Sequence, residues 1–278
     1  MSTDLLLALS TYPDPTGEAV LPLAVAFARH LDADVTALAL EVDIPDVENP
    51  LAVAVLKVRE LIESTERRSH QSAEALLGRW ARLAAEANVR HGLHRVRAAP
   101  ARMGETAVHS ARFHQMVALP VAPGDPAERG LAEILVFESG RPVVLLPEGR
   151  TVAGGFDRVV VATDFGRAAT RALFDADPLL RRARMVHVVT ASDEKDVGHG
   201  NRAALAAHLD RCGLRHEFGE VETGGRPVGE VLQDHAIALG AGLLVMGAYG
   251  HSRLRQFVLG GATATVLHDL RLPVLMSH

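Results

Sequence analysis

Short apolar runs alternate with stretches of helical period along this chain, and near the middle the alternation begins again. The repeat is visible in residues: 136–145 lines up with 267–276 when Pro142 and Pro273 are superposed. Self-similarity at half the chain length implies a tandem duplication. Few architectures accept such a chain. Strands alternating with helices form a parallel sheet covered on both faces, with right-handed crossovers.

In the first half the apolar runs predict strands over 4–10, 35–42, 92–96, 115–119 (closed by Pro120) and 141–146. Helices are expected over 18–30, 53–87, 103–113 and 127–138. Residues 147–155, rich in glycine and charge, have the composition of a linker. After it, strands are expected over 158–164, 185–190, 215–221, 243–247 and 274–276. Helices fall over 167–180, 201–211, 228–239 and beyond Gly260. Two domains result, 1–149 and 155–278.

Of the 278 residues, 48% are hydrophobic, enough for well-developed cores, and the net charge of −5 carries no global basic footprint for nucleic acid. The single cysteine, Cys212, excludes an intramolecular disulfide and a cysteine zinc site. Fourteen histidines are scattered without an H-E-x-x-H pattern, so no metal site is expected. The start lacks a basic region before its apolar run, and no run reaches the ~18 apolar residues of a membrane span. A soluble cytoplasmic protein is expected.

The ligand signal lies near the end. The apolar run 243–246 stops at Gly247, Gly250 follows, and Gly260-Gly261 opens the next helix. Glycines there let backbone N–H groups approach a bound anion, which a helix start also favours. The alternative is that Gly247 and Gly250 turn a tight connection and Gly260-Gly261 allow close packing. His251 could donate to phosphate or face solvent; Arg253 or Arg255 could pair with terminal phosphate oxygens or be solvated. P-loop, nucleophile-elbow and kinase motifs are absent from the sequence.

The spacing of Gly247, Gly250 and Gly260, with the text from Val245 to Met276, resembles the nucleotide-binding signature of the universal stress protein family. One departure is Gly261, where nucleotide-binding members usually carry Ser or Thr; the nearest hydroxyl is Thr263. The resemblance implies two open five-stranded parallel sheets of order 3-2-1-4-5. That order sets the ends of strands one and four side by side, where such sheets bind ligands, and so brings Asp164 to the glycine loop. Asp164 would contact the nucleoside end, or simply serve as a turn or helix cap. The implied adenine-nucleotide site comprises Ala162, Thr163, Asp164, Met246, Gly247, Tyr249, Gly250, His251, Arg253, Gly260, Gly261, Ala262 and Thr263. Its ligand would be ATP, ADP or AMP, with or without Mg. At the offset of the two prolines, Gly247 and Gly250 face Met116 and Leu119, and Gly260 faces Arg129, so binding is expected in the second half and scaffolding or regulation in the first. The last strand of each half has no later strand of its own half to cover it. Family dimers pair theirs, which implies an intramolecular pseudo-dimer, with homodimers of chains also open. The functional expectation is a nucleotide-binding stress or signalling module. A slow ATPase or adenylyl-handling enzyme, or a non-binding scaffold, are the alternatives.

Overall fold

The computed structural model describes residues 2–45, 58–150, 155–191, 199–248 and 261–278. The start of the long first-half helix expected at 53–57 and most of the glycine loop, 249–260, lie outside the described residues.

Among the described residues ten strands form a single sheet: β1 (Thr3–Ser10), β2 (Ala33–Val42), β3 (Arg90–Ala98), β4 (Met116–Val121), β5 (Val143–Pro147), β6 (Arg158–Ala162), β7 (Met185–Ala191), β8 (His216–Val221), β9 (Leu243–Gly247) and β10 (Val274–Ser277). Their spatial order is β3-β2-β1-β4-β5-β10-β9-β6-β7-β8, so each half contributes five strands in the order 3-2-1-4-5. Pairing is parallel within each half and antiparallel at the centre, where Val143, Val144 and Leu145 face Met276, Leu275 and Val274.

Helices α1 (Leu21–Leu31), α2 (Val58–Glu86), α5 (Arg167–Asp175), α6 (Asp177–Leu180) and α7 (His199–Arg211) cover one face. On the other lie α3 (Met103–Ala111), α4 (Pro126–Glu138), α8 (Val228–Ala238) and α9 (Gly261–His268). Because both faces are covered, alternate residues of a strand enter different cores: Leu5, Leu7 and Leu9 go to the first, Leu6 and Ala8 to the second. This two-sided burial is why the central strands read as unbroken apolar runs. The outer strands, β3 largely exposed and β8 half-buried, carry the charge that keeps a free sheet edge from pairing with another chain. On β3, for example, Arg97 reaches Asp43 at 2.7 Å.

Three local readings change. Pro120 does not close β4; it pairs opposite Leu146, while the ladder to β1 ends at Ala118, so its missing N–H interrupts no bond there. The helix expected over 167–180 is two, α5 and α6, parted at Ala176 with Pro178 at the start of the second. The halves also correspond differently from the proline-anchored alignment. Leu7 pairs with Ala118 and Val161 with Val245, so Gly247 corresponds to Pro120, not to Met116. Val117 and Val143 pair across 26 positions but Leu244 and Val274 across 30, so the link between strands four and five is four residues longer in the second half.

Each core contains residues of both halves, with Val144 and Leu275 in one and Leu145 and Val274 in the other. Edge-on stacking of Phe27 with Phe156 (5.2 Å) and of Phe137 with His278 (5.0 Å) also crosses the seam. The full chain should therefore unfold in one calorimetric transition. Leu275→Ala, deep in the shared core, should lower its free energy by about 2–5 kcal/mol. Two separable transitions, only one of which moves in the variant, would show that the halves are independent.

Candidate functional site

The ends of β6 and β9 lie side by side because strand order reverses between them. A cavity of about 340 Å³ opens there, on the face covered by α8 and α9. Ala162, Thr163 and Asp164 come to it from β6 and the turn that follows. Met246 and Gly247 come from β9, and Gly261, Ala262 and Thr263 from the first turn of α9. Tyr249, Gly250, His251, Arg253 and Gly260, with Arg255, lie outside the described residues.

The turn after β6 is tightly specified. Thr163 N–H donates to the Val189 carbonyl (2.9 Å), the Phe165 N–H donates to Thr163 Oγ1 (2.8 Å), and the Gly166 N–H donates to Asp164 Oδ1 (2.7 Å). Phe165 takes a positive φ of 57° to complete it. Asp164 thus serves the turn with one oxygen while remaining exposed at the cavity mouth. The two readings of this residue are compatible, since a carboxylate has lone pairs beyond the one taken by Gly166.

The cavity wall is mostly apolar. Val189 and Ala191 at the end of β7, Val228 and Leu232 on α8, and Ala169 on α5 line it along with Ala162 and Met246. Sequence reasoning missed these five. The order 2-1-4 within a half already sets the end of β7 next to β6, so the last residues of that strand were a recoverable signal. At the open end, the first N–H groups of α9 have no carbonyl within the helix to bond and form a positive pole. An apolar slot, a carboxylate at its mouth and a helix start suit a ligand with a flat, weakly polar end and an anionic tail.

The glycines divide by role. A Cβ at Gly247 would stand 2.4 Å from the carbonyl carbon of Ala168 and from the nitrogen of Ala169, so this glycine lets α5 close on β9. Gly229 does the same between α8 and α9, where a Cβ would meet the Ala262 carbonyl oxygen at 2.5 Å. Gly261 differs: beyond its chain neighbours and its own helix backbone, no atom of the described residues lies within 4 Å of a Cβ built there, and its φ is outside the left-handed region. Among the described residues nothing obstructs a serine at that position.

The first half treats the corresponding crevice differently. Its link from strand one to the next helix runs from Ser10 to Leu21, against Ala162 to Arg167 in the second half. In that longer link Thr16 Oγ1 accepts from the Ser10 N–H (3.0 Å) and donates to Glu128 Oε1 (3.4 Å). Glu128, in the first turn of α4, is only 3% exposed, and its Oε2 accepts from the Ala122 N–H just after β4 (2.5 Å). Its own carboxylate therefore sits beside the helix start and strand end where the second half leaves a cavity. Burial, with Glu148 and Asp125 adding negative charge, raises its pKa to about 7 against the Ala122 and Thr16 hydrogen bonds. Burial likewise raises Glu148, whose Oε1 accepts from the Gly17 N–H (2.7 Å). An acid in a first helical turn reads as solvated, so nothing in the sequence singled out Glu128.

The family model for the universal stress protein family matches residues 155–278. No curated protein matches the chain. Among solved structures, a universal stress protein from Archaeoglobus fulgidus DSM 4304 is 17% identical, covering 99% of this chain and 96% of that one with a TM-score of 0.71. A protein of unknown function from Pseudomonas aeruginosa PAO1 is 14% identical over 99% of this chain and 92% of its own, at 0.56. A universal stress protein in complex with cAMP is 25% identical, covering 44% of this chain and 97% of that one, at 0.34. The full-length matches establish the fold of both halves, and the family match falls on the half that holds the cavity. No helix among the described residues is long and apolar enough to cross a membrane.

Glu128 makes stability depend on pH. A carboxyl whose folded pKa is raised contributes stability that is whole below its ordinary value of 4.5 and is lost as pH climbs to about 7. The loss is on the order of 3 kcal/mol for this group. Glu128→Gln should leave stability near pH 4.5 almost unchanged and raise it at pH 8, flattening the profile between. Urea midpoints across that range measure this, and a variant as pH-dependent as the parent would refute it.

Proposed function

We propose that this chain is a tandem universal stress protein, with domains at 1–149 and 155–278, whose second domain alone binds an adenine nucleotide. The observation that carries the reading is the convergence of an apolar slot, Asp164 and the α9 N-terminus on one cavity at the switch point. Adenine occupies the slot between α8 and the end of β7. The ribose hydroxyls donate to Asp164, and the phosphates, with or without Mg, extend across the α9 start toward the glycine loop. ATP is the ligand that uses all three features. The first domain, its crevice filled by Glu128, scaffolds the second, and the two form an intramolecular pseudo-dimer through β5 and β10. Further pairing of chains into homodimers is compatible with this. The lone cysteine suits a reducing cytoplasm.

The described lining of the cavity is largely apolar, and the proposal is binding, with occupancy altering shape or assembly, rather than turnover. The scaffold reading is the second one, favoured by Gly247, whose freedom from a side chain is taken up by packing against α5.

Calorimetric titration of ATP into the full chain tests this. Asp164→Ala and Gly250→Val should each weaken binding about tenfold or more, while Gly261→Ser should tighten it roughly ten- to a hundredfold by adding one hydrogen bond to a charged phosphate. Thermal midpoints should shift little. No heat from ATP in the parent protein would select the scaffold reading, and equal affinity in all variants would remove these residues from the site.

A further inference from the structure

A second cleft, of about 610 Å³, shares no lining residue with the candidate nucleotide cavity. It is bounded by the starts of β1, β4 and β5 in the first half and by the α5–α6 turn in the second. Four arginines line it, Arg141, Arg171, Arg181 and Arg182, against two aspartates, Asp175 and Asp177, which leaves a local formal charge of +2 in a chain of net charge −5.

Three of the four arginines are held by side-chain hydrogen bonds. Arg171 donates through Nε to Asp175 (2.8 Å) and Arg181 through Nε to Asp177 (2.7 Å), each over one helical turn. Arg141 donates through Nε (3.1 Å) and Nη2 (2.7 Å) to the Arg112 carbonyl. Each of these contacts takes one side of a planar five-donor fork and leaves other N–H groups for an acceptor in the cleft. Arg182 has no ion-pair partner among the described residues. Guanidinium groups already fixed in orientation lose less entropy on binding, and the fork matches two oxygens of a phosphoryl group. A charge of +2 suits a dianion. The cleft is larger than a bare phosphate, and Phe174, 54% exposed on its wall, offers an apolar surface to an organic group.

We propose that this inter-half cleft is a ligand site for a phosphate monoester of about sugar size, separate from the nucleotide cavity and independent of its assignment. Because both halves line it, its ligand bridges them beside the β5–β10 seam.

Ribose 5-phosphate and inorganic phosphate, titrated separately into the full chain by calorimetry, test the site. The monoester should bind, and more tightly than inorganic phosphate. Arg182→Gln should weaken it about tenfold or more, the loss of one charge-assisted contact, and Arg182→Glu should abolish it, with thermal midpoints of the free variants unchanged. Asp164→Ala should leave it intact. Failure of the monoester to bind, inorganic phosphate binding as tightly, indifference to both Arg182 variants, or sensitivity to Asp164→Ala would each overturn the proposal.

Discussion

The antiparallel pairing of β5 with β10 is the contact on which the rest of the molecule depends. Each strand would otherwise end its half as an apolar edge; paired, and with helices over both faces, Val143 to Leu146 and Val274 to Met276 are fully buried. Joining them turns two five-stranded sheets into one of ten, and makes each helical face a single layer over a single core. A consequence for function follows from direction. Because the seam is antiparallel, the strand ends of the two halves face opposite ways, and the crevice at each switch point is built without help from the other half.

Within that common frame the halves have diverged at their switch points. Gly247 in the second corresponds to Pro120 in the first. The glycine admits α5 onto β9 at backbone contact, so its link from β6 is short and its cavity stays open. In the first half a longer link brings Thr16 to Glu128, and a buried carboxylate takes the Ala122 N–H group. One half sets a buried carboxylate beside its helix start where the other opens a cavity. A buried carboxylate and an open cavity are thus alternative uses of the same strand order.

Much of the fold was legible because strand position controls composition. Central strands buried on both faces read as apolar runs, whereas β3 and β8, at the edges, are the least apolar of the set. Errors came where tertiary contact overrides local signal. Pro120 reads as a strand end, yet it lies past the β1 ladder and costs no bond there. The two halves were misaligned by four residues because the prolines before β5 and β10 anchor only the final strand, and the extra length lies ahead of them. At the cavity, the strand order implied by the resemblance anticipates the position of Asp164 but not its neighbours Val189, Ala191, Val228 and Leu232, since apolar residues at strand and helix ends carry no chemical signature. Glu128 was invisible for a related reason: burial of a carboxylate is decided by the link that folds over it.

On the proposed function, one half binds nucleotide and the other is closed by its own side chains. Native mass spectrometry of the full chain with excess ATP counts bound ligands directly. One nucleotide per chain, lost on Asp164→Ala, is the predicted result; two per chain, or one that persists in Asp164→Ala and disappears on Glu128→Gln, would contradict it.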